Sequence, residues 1–378
     1  MSTLRLIVDQ LLSPVPGGIG RYAAELSRAV AESTPTGWSV EGVVAAASPE
    51  ELAGLKERIP GLDAVAVTSL RRRELAVAWQ LGLASLGGDG PVHSMSVLAP
   101  LSRRQRRAGP IVSTIHDAVP WTHPETLTPR GVSFHVAMAK RAERFADAIV
   151  VPTKAVADEL NGILDLGDRV RVIGSAVSSR FSLPPDADQR AATLRLPGGY
   201  LLAVGTLEPR KGLEPLVRSL ALAGATDLPL LVVGGAGWGG VDLATIAAAA
   251  GLPEGRVRSL GHLADEDLAT AVSRATIFVQ PSLAEGFGIP VLEAMSLGTP
   301  VIHSDAPALV EVAGGAGICV AREPAADYPR RLAEAIAAVA ADEAERAVLS
   351  AAGIQRSKAF SWQRSAAAVW TLHTELAS

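Results

Sequence analysis

The sequence predicts an α/β protein with two doubly wound, Rossmann-like domains. Its 378 residues exceed what a single compact core usually holds. Short β-branched runs alternate with longer amphipathic segments in both halves of the chain, which is typical of parallel sheets covered by helices. A proline-rich stretch at 182–186 follows the last strand candidate of the first half and predicts a domain boundary there.

In the first half, strand and helix candidates alternate along the chain. The strand candidates are short apolar runs at 4–8, 39–45, 64–67, 91–94, 111–115, 148–151 and 170–173. Longer segments with apolar residues at helical spacing predict helices at 20–33, 70–86, 130–145 and 153–164. This order predicts a first domain over residues 1–183.

The second half repeats the alternation without repeating the residues. Its strand candidates lie at 200–204, 228–233, 257–260, 277–280 and 300–304, and its helix candidates at 212–223, 242–250, 265–274, 290–297 and 308–312. These elements predict a second domain over residues 190–355. The stretch 356–378 contains one more helix, at 361–376, and its packing back on the first domain is a hypothesis.

Composition narrows the class of protein. Hydrophobic residues make up 48% and charged residues 20% of the chain, as in globular domains. The net charge of −4 argues against nucleic acid as a partner.

The cysteine count and the start of the chain bear on the cellular compartment. A lone cysteine, Cys319, excludes an intrachain disulfide. The first nine residues resemble a strand more than a signal peptide, and no run reaches the roughly 18 apolar residues of a membrane span, so we expect a cytoplasmic protein.

A basic pair follows the first strand of the second domain. The stretch Gly-Thr-Leu-Glu-Pro-Arg-Lys-Gly runs from Gly205 to Gly212 and contains Arg210 and Lys211. Ligands bind at the carboxyl ends of strands in doubly wound sheets, and the following helix adds oriented N–H groups. The pair therefore suits a diphosphate, and a solvated surface pair is the alternative.

Two glutamates follow a later strand of the same domain. Glu285 lies on the loop after the strand at 277–280, and Glu293 lies about one turn inside the next helix. Gly286 and Gly288 allow a ligand to approach the backbone between them. Since carboxylates accept hydrogen bonds from diols, one glutamate can hold a sugar and the other a ribose. For either residue by itself, an exposed acid at a helix start is the alternative.

The first domain offers two further candidates. His116 ends the strand at 111–115 and should face a ligand, although a capping or core histidine is the alternative. Gly18 and Gly20 match a loose dinucleotide fingerprint, Gly-x-Gly-x-x-Ala. That match is weak, because too many residues separate the first strand from the first glycine for the tight turn that the fingerprint needs.

Several of these motifs together resemble a known family. The Glu-x7-Glu spacing from Glu285 to Glu293, the stretch that ends at Lys211, and the later Gly-Thr-Pro-Val at 298–301 are similar to retaining glycosyltransferases of family 4. The resemblance covers most of the chain and is densest between residues 200 and 320. It implies the GT-B fold, in which two doubly wound Rossmann-like domains face each other across a cleft.

The resemblance also implies roles for the donor-site residues. Arg210 and Lys211 would bind the donor diphosphate, and Glu293 would bind the ribose. Glu285, with the backbone from Gly286 through Phe287 to Gly288, would hold the donor sugar. The loop that begins at Gly205 would approach the phosphates, and His262 would lie near the nucleobase.

In the first domain, the resemblance implies that His116 touches the donor sugar and the reaction centre. The glycine pair that includes Gly18 would approach the donor phosphates and the acceptor. The acceptor would be a glycan or a lipid-linked glycan, and the form of the motifs is most similar to bacterial polysaccharide mannosyltransferases. A GDP- or UDP-linked sugar is therefore expected as the donor, with GDP-mannose first.

The same residues predict a reaction without a metal or a resident cofactor. No Asp-x-Asp motif follows a strand, and no histidine, cysteine and aspartate cluster has the spacing of metal ligands. Two alternative functions remain open at this point. A GT-B nucleotide-sugar epimerase would share the fold and the diphosphate site, and an NAD-dependent oxidoreductase would rest on Gly18 and Gly20.

Two basic runs remain without a role in the donor site. They lie at 71–73, at the start of a predicted helix, and at 103–107, in a predicted loop. Solvated surface charge is one explanation. The other is a patch that contacts an anionic membrane, which would place the enzyme on the inner face of the membrane.

Overall fold

The computed structural model describes residues 2–13, 17–237 and 239–377. Its strands are short and lie where the β-branched runs predict them, with one addition. They are β1 Ser2–Ile7, β2 Trp38–Val44, β3 Ala64–Val67, β4 Val92–Ser94, β5 Ile111–Thr114, β6 Ala148–Val151, β7 Val170–Val172, β8 Leu201–Val204, β9 Leu230–Val233, β10 Val257–Gly261, β11 Ile277–Gln280, β12 Val301–Ser304 and β13 Ile318–Val320.

Several helices begin at a side-chain cap. Ser48, Ser102 and Thr153 each accept a backbone hydrogen bond at a helix start. The helices are α1 Gly17–Glu32, α2 Pro49–Arg58, α3 Arg72–Leu81, α4 Arg103–Ala108, α5 Val119–Thr122, α6 Pro129–Phe145, α7 Lys154–Asn161, α8 Ala187–Thr193, α9 Leu213–Ser219, α10 Leu243–Ala249, α11 Asp265–Ser273, α12 Ile289–Ser296, α13 Pro307–Ala313, α14 Tyr328–Ala341, α15 Glu343–Ser357 and α16 Trp362–Ala377. Among the described residues, no helix is both long and apolar enough to cross a membrane.

The chain forms two compact units. The first unit comprises Met1–Thr122, Pro129–Ser175 and Ser361–Ser378, and the second comprises His123–Thr128 and Ala176–Phe360. The predicted boundary at residue 183 therefore shifts to 175, because Phe181 is buried in the core of the second unit. A short segment of the first half of the sequence, His123–Thr128, also belongs to the second unit.

The first unit contains a seven-stranded parallel sheet. Its strand order is β3-β2-β1-β4-β5-β6-β7, so the direction of winding reverses between β1 and β4. Buried strand residues such as Ile111 and Ile149 pack against α6, whose Met138 is fully buried. This arrangement is the doubly wound sheet that the alternating pattern predicts.

The last helix, α16, packs on α1 within the first unit. The indole Nε1 of Trp370 donates a hydrogen bond to the carbonyl oxygen of Val30 at 3.0 Å. The rings of Trp38 and Trp370 meet edge to face at 5.5 Å between centroids. The C-terminal helix thus completes the apolar cover of the first unit.

The second unit contains a six-stranded parallel sheet in the order β10-β9-β8-β11-β12-β13. Its winding reverses between β8 and β11, which are hydrogen-bonded neighbours although 72 residues separate Val204 from Ile277 along the chain. Apolar cores lie on both faces of the sheet, one around Phe278 and Met295 and the other around Leu216 and Leu332. Both units therefore have the predicted doubly wound topology.

Some elements differ from the prediction. The basic run at 103–107 was expected in a loop, but it lies in α4, whose start is capped by Ser102. The edge strand β13 was missed because it has only three residues and pairs on one side, with β12. The helices α2, α8, α14 and α15 were not predicted either, since alanine and charged residues dilute their apolar pattern.

Candidate active site

The predicted donor residues of the second unit lie at the carboxyl edge of its sheet. The loop 205–212 follows β8, and the loop 281–288 follows β11. Because β8 and β11 are adjacent at the point where the winding reverses, the two loops leave the sheet side by side. This is the position at which open α/β sheets bind ligands.

Backbone contacts hold the two loops together. The Leu283 N–H donates to the carbonyl oxygen of Arg210 at 2.7 Å. Gly212 has a φ of +64°, and a Cβ at this position would lie 2.0 Å from the carbonyl oxygen of Pro281. A glycine is therefore required here, because any side chain would force the loops apart.

One carboxylate binds both predicted cations. Lys211 Nζ lies 2.7 Å from Glu285 Oε1, and Arg210 Nη1 lies 3.3 Å from Glu285 Oε2. Arg210 Nη2 also lies 2.7 Å from Glu208 Oε1. The four side chains are only 8% to 17% exposed, so water screens their interactions weakly.

The environment keeps Glu285 ionised. Burial by itself would raise the pKa of this carboxyl, but the charges of Lys211 and Arg210 and the hydrogen bonds from Lys211 and Ser282 lower it to about 2. Ser282 Oγ donates to Glu285 Oε1 at 2.8 Å, and Gln280 Nε2 donates to the same oxygen at 3.2 Å. The carboxylate thus has a fixed orientation at the edge of the sheet.

Glu208, Gln280 and Ser282 are site residues that the sequence analysis missed. Glu208 lies inside the quoted motif, where its acidic charge beside two cations was the available signal. Gln280 is a polar residue at the end of an apolar strand and is 1% exposed. Such a polar strand end would have been a second signal, because a buried amide needs hydrogen-bond partners.

The segment after Glu285 presents its backbone and buries its side chains. Phe287 is 6% exposed and packs edge to face on Phe360, with 5.6 Å between centroids. Gly288 precedes α12 with a φ of +93°, and Gly286 lies between the buried ring and Glu285. Only the backbone of this segment is therefore placed to contact a ligand.

Glu293 lies inside α12 and is 1% exposed. The alternative of an exposed acid at a helix start is therefore wrong for this residue. Its assignment to the ribose stays a prediction. A buried carboxylate of this kind requires polar partners, since its desolvation is otherwise costly.

Two predicted residues lie at different distances from the charge cluster. The side chain of Lys211 passes over Gly205, where an added Cβ would lie 3.2 Å from its Cγ and Cδ atoms. His262 is exposed and follows β10, which lies two strands from β8 at the same edge of the sheet. Gly205 thus forms part of the cluster, and His262 lies at the same edge of the sheet, two strands away.

Two further residues of the second unit were not predicted. His123 belongs to this unit although it comes from the first half of the sequence, and its local pattern gave no signal of that. Burial lowers the pKa of His123, and the nearby charges of Arg322 and Arg210 lower it further despite the opposite effect of Glu125. Arg322 lies 2.6 Å from Asp305 Oδ1 and also contacts the carbonyl oxygen of Leu283.

In the first unit, His116 follows β5 at the carboxyl edge. Its Nε2 lies 2.8 Å from the carbonyl oxygen of Met95, and its ring meets Tyr22 edge to face at 4.8 Å. Burial lowers the pKa of His116 and outweighs the opposite effects of Met95 and Asp117, so the ring is neutral near pH 7.

Gly18 lies in the first turn of α1, which begins at Gly17. The expected helix start at residue 20 was thus three residues late. The described part of the stretch between β1 and α1 contains a 3-10 helix, Asp9–Leu12, in place of the tight turn of a dinucleotide fingerprint. Gly18 is exposed and precedes Ile19, which lines a cavity together with His116.

This cavity of the first unit has a volume of about 60 Å³. Its polar lining consists of Ser96, His116, Asp117 and His135, and Trp121 lines it as well. Apolar side chains complete the wall. It therefore combines a few polar groups with an apolar surface.

Within residues 2–13, 17–237 and 239–377, no group of three or more histidine, cysteine, aspartate or glutamate side chains could hold a metal ion.

Comparison with known proteins identifies related sequences over both units. Residues 16–180 match the model of "Glycosyltransferase Family 4", and residues 198–342 match that of "Glycosyl transferases group 1". O-antigen chain mannosyltransferase B of Escherichia coli is 38% identical over 168 residues, which are 44% of this chain and 43% of that protein. D-inositol 3-phosphate glycosyltransferase 1 of Catenulispora acidiphila is 28% identical over an alignment of 398 positions, which covers 96% of this chain and 92% of that protein.

Some of the relatives are matched over only part of their length. The chain spans less than half the length of the first curated relatives that it matches, of which O-antigen chain mannosyltransferase B is one. Among solved structures, Anabaena HepE in complex with UDP and glucose superposes with a TM-score of 0.75 at 20% identity, and all of both chains is covered. At this identity the likeness shows the fold alone. The two Rossmann-like units of this chain have the fold of GT-B glycosyltransferases.

Proposed function

Because the chain belongs to the family 4 glycosyltransferases, we propose that it transfers a hexosyl group from a nucleoside diphosphate sugar to a hydroxyl acceptor. The observation that carries this proposal is the cluster of Arg210, Lys211 and Glu285 between two adjacent strand ends. Two cations on a fixed loop suit a diphosphate, and a carboxylate beside them suits the hydroxyls of the attached sugar.

The cations would act when the glycosidic bond breaks. Negative charge then develops on the diphosphate leaving group, and Arg210 and Lys211 stabilise it from positions that Glu285 already fixes. The backbone N–H groups at the start of α12 add partial positive charge nearby. This electrostatic stabilisation requires no metal ion, so we propose a metal-independent reaction.

The transfer is proposed to retain the anomeric configuration. The acceptor hydroxyl then approaches the face from which the leaving group departs, and the β-phosphate itself takes the acceptor proton. Glu285 is held by both cations and has a lowered pKa, which makes it a weak base and favours a role in sugar binding.

A mannosyl donor is supported by the relatives' names. Two E. coli relatives are named as mannosyltransferases, and GDP-mannose is therefore the first donor to test, with UDP-sugars second. The names suggest two acceptor classes, a growing polysaccharide and a phosphorylated polyol such as inositol 3-phosphate. We propose the glycan class.

A ligand-binding and transfer experiment tests the donor assignment. Thermal shift with GDP, UDP and ADP identifies the base, since a bound nucleotide raises the melting temperature. The double variant Arg210→Ala/Lys211→Ala should lose both the shift and the transfer. Arg218→Ala serves as the matched control, because it removes an exposed ion pair with Glu214 in the same unit. Near-normal turnover in the double variant would overturn the assignment, and an epimerised nucleotide sugar without a glycosylated product would favour the epimerase.

Peripheral membrane contact remains a separate proposal. On α3, Val77 and Leu81 are 46% and 60% exposed, and the exposed Arg73 lies one helical turn before Val77. Two arginines of the basic runs are engaged elsewhere, since Arg72 pairs with Asp9 and Arg106 with Asp147. Flotation with anionic and with neutral liposomes tests the contact, and equal recovery from both would reject it.

A further inference from the structure

We propose that Arg322 is a positioning residue that fixes the backbone of the loop leading to Glu285. The inference rests on the proposed transfer activity and adds a residue on which that activity depends. It is carried by the way in which side chains bind the carbonyl oxygens of the loop 281–284.

The loop 281–284 lies outside the helices and strands, so its carbonyl oxygens need other hydrogen-bond donors. Each of the four oxygens accepts from a side chain of another segment. The donors, in order from Pro281 to Ala284, are Tyr328 Oη at 3.0 Å, Ser304 Oγ at 2.5 Å, the Arg322 guanidinium, and Arg210 Nη1 at 3.1 Å. The conformation of the loop therefore depends on these four side chains.

Arg322 differs from the other three donors to this loop. Tyr328 and Ser304 are 2% and 0% exposed and belong to the interior of the second unit. Arg210 is a proposed ligand of the diphosphate, so its bond to Ala284 competes with the donor substrate. Arg322 follows the edge strand β13 and is 23% exposed, so it can be changed without opening the core.

The guanidinium of Arg322 is itself held in place. Its Nε lies 2.6 Å from Asp305 Oδ1, and the backbone N–H of Arg322 donates to the same oxygen at 3.1 Å. The Asp305 N–H in turn donates to the carbonyl oxygen of Val320 at 3.0 Å. Because Nε and Nη1 belong to one planar group, the bond to Asp305 sets the direction in which Nη1 meets the Leu283 carbonyl. A lysine would keep the charge but not this planar fork.

A shift of Leu283 would be felt at the charge cluster. Leu283 is two residues before Glu285, and its N–H donates to the carbonyl oxygen of Arg210 at 2.7 Å. The cations for the diphosphate lie on the other loop, whereas Glu285, the proposed sugar ligand, lies on this one. Since a small misplacement of a positioning group can cost up to about 100-fold in rate, loss of the Arg322 fork should lower kcat more than it raises the donor KM.

Arg322→Lys is the test substitution, and Arg331→Lys is its matched control. Arg331 is 21% exposed and also donates to backbone carbonyls, those of Ala321 and Pro324 on either side of Arg322. In the free protein, hydrogen exchange of the amides at 282–288 should be about tenfold faster in Arg322→Lys, the effect of losing one charge-assisted hydrogen bond. The amides of β8 should not change, and Arg331→Lys should match the wild type. Equal exchange at 282–288 in the two variants would overturn the inference.

A second variant acts on the same contact from its other side. Asp305→Asn keeps Arg322 but removes the charge that orients its guanidinium, so it should also accelerate exchange at 282–288. Combining it with Arg322→Lys should add less than about twofold, because both substitutions break one contact. Full additivity of the two effects would overturn the inference.

Steady-state transfer from GDP-mannose gives the functional readout. Arg322→Lys should lower kcat about tenfold and leave the donor KM within about twofold, and Arg331→Lys should change neither. An unchanged kcat in Arg322→Lys would overturn the inference. Absence of transfer by the wild type from GDP- and UDP-sugars would instead count against the proposed function. The exchange measurement needs no donor and would still decide whether Arg322 fixes the loop, so the two failures are distinguishable.

Discussion

Replacing Glu285 by glutamine should destabilise the second unit by about 3 kcal/mol at neutral pH. The carboxyl has a pKa of about 2 in the folded protein, against an ordinary value of 4.5. At about 1.36 kcal/mol per pH unit, this difference corresponds to about 3 kcal/mol of stability. Glutamine imitates the protonated acid in shape, so Glu285→Gln removes the ionic contribution and keeps the packing.

The loss should depend on pH in a defined direction. The folded pKa is lowered, so the folded state binds the proton more weakly than the unfolded state, and the stabilisation is fully present above about pH 4.5. It disappears as the pH falls from 4.5 towards 2. The difference between wild type and Glu285→Gln should therefore shrink across this range.

Urea unfolding of both proteins between pH 7 and pH 3 measures the difference. Glu214→Gln is the control, because Glu214 forms an exposed pair with Arg218 and should cost less than about 1 kcal/mol. A double-mutant cycle with Lys211→Met should give a coupling of about 1–3 kcal/mol, since Lys211 Nζ contacts the carboxylate at 2.7 Å. If the two proteins differ equally at pH 7 and pH 3, or the coupling is zero, the interpretation of the cluster is wrong.

Three further outcomes are expected. Glu208→Gln should tighten GDP binding about fivefold, because it removes a carboxylate that competes with the diphosphate for Arg210. Calorimetry measures this change, and weaker binding would contradict the prediction. Transfer should be unaffected by excess EDTA and by added Mn²⁺, and a loss restored by the metal would refute metal independence. His373→Phe should make the protein less sensitive to acid between about pH 6.5 and pH 3. Both histidines are buried, with 3.1 Å between His93 Nδ1 and His373 Nε2, and both have lowered pKa values. The wild type should therefore lose about 2 kcal/mol of stability at pH 5 through protonation of His373. An identical acid profile of the variant would refute this role.

The donor motifs could be found in the sequence because their residues are close together within each loop. Arg210 and Lys211 are adjacent, and the glycines and glutamates of the second motif lie within nine residues. A loop between a strand and a helix has a recognisable composition, and its position at a strand end indicates a ligand site. His116 could be selected because it also follows the end of a predicted strand.

Other residues had no local signal. His123 lies in the first half of the sequence and contributes to the second unit, and Arg322 follows the short edge strand β13. Glu208 was visible but had no assigned role, because its partner Arg210 could equally have faced solvent. The side-chain contacts of such residues depend on packing that no single segment determines.

The sequence determined that this is a doubly wound α/β protein with two units, because strand and helix periodicities are properties of each segment. It also determined which loops contain the cations and the carboxylates. Only the tertiary structure decided that β8 and β11 are neighbours, and therefore that Glu285 bridges Arg210 and Lys211. Strand order is set by how whole segments pack into one sheet, and a contact between residues more than 70 positions apart cannot be inferred from the periodicity of either segment.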